Sequence, residues 1–208
     1  MATIPPPAAQ EVPGRRERKR QQQVDHLADT AWALFETEGY EAVTMERIAD
    51  AADVSKVTLY RHFPVKEALL RHRFHREVRE IWPKILPALS TVPPGRERLA
   101  RLLELNAEWS ESRRDYLLPY VRFRLSDPDL FSDRRERSGM DRIFTELIAQ
   151  GQEVGDVRAD IPAPQLATYL QFIHLSALLR WLGEDGLSLT DEMARMLDLV
   201  FDGIGGRR

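Results

Sequence analysis

The chain has 208 residues, 43% of them hydrophobic and 30% charged, with a formal net charge of −3 and no cysteine. This length suits a small domain on a larger one, and the charge balance is that of a globular protein in water; the lack of thiols excludes disulfides and cysteine-ligated zinc and fits a reducing cytoplasm. No apolar run approaches the ~20 residues that cross a bilayer, and the Pro- and Ala-rich start, Met1 to Gly14, is no secretory signal, so neither membrane nor export is expected.

In chain order, residues 1–20 read as a flexible basic N-terminal arm. Prolines 5, 6, 7 and 13 give way to Arg15, Arg16, Arg18, Lys19 and Arg20 against the single carboxylate Glu17, either a solvated tail or an arm along a DNA minor groove. From Val24, the residues Leu27, Ala28, Ala31, Leu34 and Phe35 share one face of a helix that Gly39 ends. Thr44 offers a capping hydroxyl to a second short helix, with Glu46 in its first turn and Ile48 and Ala49 inward. Asp53 and Val54 form a tight turn, and Ser55 caps a third helix running through Leu59 and Tyr60. Pro64 starts the next helix, with Leu70, Phe74, Val78 and Ile81 on one face, which links head to body. Between Lys56 and Arg76 six basic residues face one carboxylate, Glu67, so the head is basic although the whole chain is not.

Pro83, Pro87, Pro93, Pro94 and Gly95 read as a broken connection, and helices are expected over 97–112, 116–125, 130–150, 164–182 and 190–201. Asp127-Pro128 and the stretch from Gly155 to Pro164 are the loops between them, and Asp127 and Asp129 look like helix caps. No alternating strand pattern occurs. The expected fold is all-α: a helix-turn-helix head with the start of the linking helix over 21–80, and a helical effector-binding and dimerisation body over 81–208.

One stretch carries most of the information. Leu34-Phe35, Gly39-Tyr40, Thr44, Ile48-Ala49, Val54-Ser55, Leu59-Tyr60, His62-Phe63 and Lys66-Glu67-Ala68-Leu69 recur at the spacing found in the DNA-binding head of bacterial regulators, and this part of the chain resembles the TetR/AcrR family closely. The resemblance implies a DNA-binding transcriptional regulator, a repressor released from a palindromic operator by a small, largely apolar effector. It implies that Ser55, Lys56, Val57 and Thr58 form the turn that reaches base edges, with Val57 set to meet a thymine methyl. Thr44, Tyr60, Arg61, His62 and Lys66 fall where family members meet phosphates. Two residues depart from the pattern, Asp53 and Val57, each where glycine is common. They motivate the alternative reading, a helical small-molecule-binding protein with a degenerate head.

The resemblance also implies a homodimer through the last two helices, for which Leu166, Leu170, Ile173, Ala177 and Leu178 and then Met193, Met196, Leu197 and Val200 are the apolar candidates; packing within one chain leaves the same pattern. Trp109, Tyr116, Tyr120, Phe123, Phe144, Phe172 and His174 are the candidates for an apolar effector site. No HExxH, phosphate loop or nucleophile elbow is present, so no enzyme, metal or cofactor is expected. The expected partners are a double-stranded DNA operator, a small effector and a second copy of the chain, in the cytoplasm.

Overall fold

The computed structural model describes residues 14–126 and 139–203. Among them the fold is all-α, in nine helices: α1 (Arg15–Glu38), α2 (Met45–Ala51), α3 (Lys56–His62), α4 (Lys66–Ser90), α5 (Arg96–Glu111), α6 (Arg114–Leu125), α7 (Met140–Glu153), α8 (Ala163–Gly183) and α9 (Leu189–Asp202). None of the described helices is long and apolar enough to cross a membrane. The chain divides into two compact units, the first built from residues up to 76 together with 119–126, the second from 77–118 together with 139–203.

In the first unit the stripe predicted on α1 is buried, from Leu27 through Phe35, and packs with Tyr40, Val43, Met45, Ile48, Ala49, Leu59 and Phe63. The helix ends at Gly39, whose φ of 85° falls where a side chain is strained and whose N–H donates to the Phe35 carbonyl. Ion pairs then fix α1 to the start of α4. His72 Nε2 donates to Asp25 at 2.7 Å, Arg73 lies 2.6 Å from Asp29, and Arg76 joins both carboxylates. Burial opposes the charge on Asp29, but Arg76 and Arg73 outweigh it and hold the carboxyl below its ordinary range.

The second unit packs α7 on α8, α5 on α9 and α8 on α9. Leu99, Leu103, Ala107, Phe144, Leu147, Leu170, Trp181, Leu189 and Met193 form its centre. Gly95 opens α5 at a φ of 97°, and an added Cβ there would collide with Asp156, which caps α5 by accepting from Arg96 N–H at 2.6 Å.

Three expectations change. The basic run 15–20 is helical, not a flexible arm, because its residues are good helix formers and are tied within the helix by Glu17–Arg20 and Gln21–Asp25. Pro83 and Pro87 do not break the connection but lie inside α4. Both are exposed, so water can reach the carbonyls of Arg79 and Pro83 that lose their N–H partners. Most of the residues expected at a dimer face, Leu170, Ala177, Leu178, Met193, Met196 and Leu197, are buried in their own chain. Beyond these three, the helix expected over 130–150 begins only at Met140, because Gly139 before it sits at a φ of 91° and cannot continue a helix; its expected start at 130, and Asp127 and Asp129 as caps, lie outside the described residues.

Candidate nucleic-acid interface

The turn between α2 and α3 takes four residues, Ala52 to Ser55. Ala52 N–H donates to Ile48 at 2.9 Å, Val54 N–H donates to Ala49 at 3.0 Å, and Asp53 between them sits at a φ of 52°, the one non-glycine residue with positive φ among those described. Asp is among the few side chains that accept this conformation, so the turn forms without the usual glycine. The head is therefore not degenerate in shape.

Each short helix is started by the hydroxyl the sequence offered. Thr44 Oγ1 accepts from Arg47 N–H at 3.1 Å, and Ser55 Oγ accepts from Thr58 N–H at 3.2 Å while lying 2.9 Å from the Thr58 hydroxyl. The inner side of α3 is Leu59, fully buried, and Phe63 follows it into the core. The outer side is the reverse: Val57 is 78% exposed, Tyr60 43%, and Lys56 and Arg61 are exposed as well. Lys56 lies 3.6 Å from Glu46, an exposed pair that contributes little and exchanges readily for another anion.

Two expected phosphate contacts have duties inside the head. Lys66 Nζ donates to the Tyr40 carbonyl at 2.6 Å and sits 4.3 Å over the Tyr40 ring, whose hydroxyl donates to Glu67 at 3.1 Å. Its ammonium thus fixes the approach to α4, with further N–H donors left over. His62 is half-buried, its Nε2 shut off from solvent without a hydrogen-bond partner. Burial first, then Arg61 and Arg20, lower its pKa, so the imidazole is neutral at pH 7.

The sequence reading missed Lys19 and Arg20 as ordered groups and passed over Gln23. With Arg61 and His62 they line a cleft of about 430 Å³ between the first turns of α1 and the end of α3. The signal was present, since Arg16, Lys19, Arg20 and Gln23 lie on the helical face that continues into Leu27 and Ala31.

The effector candidates do not form one group. Tyr120 and Phe123 belong to the first unit, where Tyr120 lies 3.2 Å from His75 Nε2 with its hydroxyl pKa raised by burial, and Phe123 lies under Arg71. Phe144 and His174 meet in the second unit, ring centres 5.9 Å apart. There His174 Nε2 donates to Asn106 at 2.8 Å, and burial pushes the imidazole down to about 4. Trp109 is a latch, its indole N–H donating to Glu77 at 3.0 Å beneath Arg113. Tyr116 is half-buried, and Phe172 points outward, 40% exposed.

Residues 27–72 match the family described as bacterial regulatory proteins, tetR family, and residues 92–204 match the tetracyclin repressor-like C-terminal domain. The transcriptional repressor KstR of Rhodococcus jostii is 31% identical over 205 residues, covering 93% of this chain and 87% of that protein. The crystal structure of Thermus thermophilus FadR, a repressor in complex with lauroyl-CoA, superposes with a TM-score of 0.76 at 25% identity, covering 89% of this chain and 96% of FadR. RolR in complex with resorcinol shares the fold, with a TM-score of 0.66 at 19% identity over 88% of this chain and 90% of RolR.

Proposed function

Since the chain belongs to the tetR family of bacterial regulatory proteins, we propose that it is a dimeric repressor whose α3 reads the major groove of an operator and whose second unit binds the effector that releases it. The observation that carries this reading is the outward side of α3. An apolar Val57 is left 78% exposed beside the exposed Tyr60, Lys56 and Arg61, and a valine held out on a capped helix is suited to a thymine methyl. Lys56 and Thr58 are the polar readers, while Thr44, Tyr60 and Arg61 position the head on phosphates.

One seven-residue helix spans few base pairs, so specificity calls for two heads on an inverted repeat with half-sites in register. The surface suited to that pairing keeps only Val200 of the stripe read from the sequence. Along α8 the outward row is Tyr169, Phe172 and Leu179, all exposed, and α9 adds Leu199 and Val200. Apolar side chains grouped in this way favour an isologous contact between two copies.

The repressor sense follows the relatives, and so does the chemistry of the effector. FadR holds lauroyl-CoA and RolR holds resorcinol, each with an apolar part. In this chain Tyr116, Phe144 and His174 are the members of the second unit suited to such a ligand, His174 as a neutral hydrogen-bonding group. Release requires the effector to bind one spacing of the heads more tightly than the other.

Selection of duplexes from a random library by the purified chain tests the reading. The expected product is an inverted repeat, and lauroyl-CoA and resorcinol are the first probes for its release. Recovery of no common sequence would contradict it.

A further inference from the structure

The cleft lined by Lys19, Arg20, Gln23, Arg61 and His62 has a composition that its place in the fold does not require. The three cations meet no carboxylate among the lining residues. Among the described residues Lys19 and Arg61 have no ion pair, and Arg20 has one, an exposed contact with Glu17 at 3.3 Å. The Gln23 amide adds two N–H donors to the same lining. The neutral His62 ring forms part of the wall without adding charge.

The geometry of two helices explains the assembly. On α1 the face that is core at Leu27, Ala31 and Leu34 continues back through Gln23 to Lys19, Arg20 and Arg16, where no core remains to cover it. The first turns of α1 hold five basic residues in six positions with no buried apolar side chain, an arrangement that repels itself and gains nothing from folding the head. On α3, Arg61 follows Val57 and Tyr60 at helical spacing and shares their outward side. The cleft thus borders the surface that faces the groove.

We propose that this cleft seats a backbone phosphate of duplex DNA beside the groove entered by α3, which makes Lys19, Arg20 and Gln23 part of the DNA-binding surface. The proposal rests on the reading of the head as a DNA-binding domain. A phosphodiester supplies the negative charge that the three cations lack and several acceptor oxygens for N–H donors from two helices. Because α1 is helical here, the basic run serves as a fixed rail for the strand rather than as a thread in the minor groove.

The test is the full-length double variant Lys19→Ala/Arg20→Ala, in which alanine preserves the helix. Its affinity for a short mixed-sequence duplex is measured across a range of salt, with Tyr60→Ala as reference and circular dichroism to confirm helix content. The variant is expected to bind about tenfold more weakly at physiological salt, with the slope of log affinity against log salt shallower by about 1. Arg20→Lys is expected to keep most of the affinity. An affinity and slope equal to wild type, while Tyr60→Ala weakens binding, overturn this proposal and leave the reading of α3 standing; a wild-type chain that ignores DNA overturns both. Binding of inorganic phosphate that the double variant abolishes, without loss of duplex affinity, would assign the cleft to a small free anion and also overturn it.

Discussion

In the first unit α3 has one apolar side, closed by Leu59, and an outward side of Lys56, Val57, Tyr60 and Arg61; in the second, α8 is apolar on both, with Leu170, Ala177, Leu178 and Trp181 inward and Tyr169, Phe172 and Leu179 outward. A helix with one apolar stripe declares which side is core. A helix with two does not, because period alone cannot say which stripe meets the chain itself and which meets something else. The outward side of α3 was accordingly legible in the sequence, and that of α8 was not.

This contrast can be broken at the core of either unit. Leu59→Ala removes a fully buried side chain from a seven-residue helix, and a loss of about 2 to 5 kcal/mol is expected, with faster amide exchange in α2 and α3 in hydrogen-exchange experiments. In the second unit the counterpart is a half-buried polar group. His174 is held near 4 in the folded chain against an ordinary value of 6.5, so the unfolded chain takes up the proton first. Stability is then complete above about pH 7 and falls as pH drops from 6.5 towards 4, by on the order of 2 kcal/mol. His174→Gln, which keeps a donor for Asn106, should flatten that limb in denaturant titrations at a series of pH values.

Two smaller changes sharpen the contrast. Phe172→Asp on the outward row of α8 should raise the dimer dissociation constant about tenfold in sedimentation equilibrium while leaving the helix content unchanged. The same substitution at a residue packed inside the chain would unfold it instead. Asp53→Gly relieves a side chain at positive φ and should stabilise the head by about 0.5 to 1 kcal/mol in thermal melts, with tighter DNA binding because a negative charge leaves the surface.

Much of the fold was readable in the sequence. The turns at Gly39 and Asp53, the caps at Thr44 and Ser55 and four of the five body helices lie where spacing and capping placed them, α5 within a residue at each end, whereas the helix expected over 130–150 begins at Met140. What could not be read depended on partners distant in sequence. Lys66 looks like a free cation until Tyr40 is folded against it, and Trp109 looks like an effector ligand until Glu77 takes its indole N–H. Arg15 to Arg20 resembled a tail because nothing in the run is apolar, yet local pairing within α1 suffices to keep it helical. Pro83 and Pro87 look like breaks in the sequence, but four residues apart they share one exposed side of α4, where water can reach the freed carbonyls.

The most direct measurement is the affinity of Lys56→Ala and Tyr60→Ala for the duplex that wild type selects, set beside their affinity for a mixed-sequence duplex. If the outward side of α3 reads and grips DNA, Lys56→Ala lowers the preference for the selected duplex about tenfold or more, and Tyr60→Ala weakens binding to both duplexes alike. Unchanged preference and unchanged affinity in both variants would contradict it.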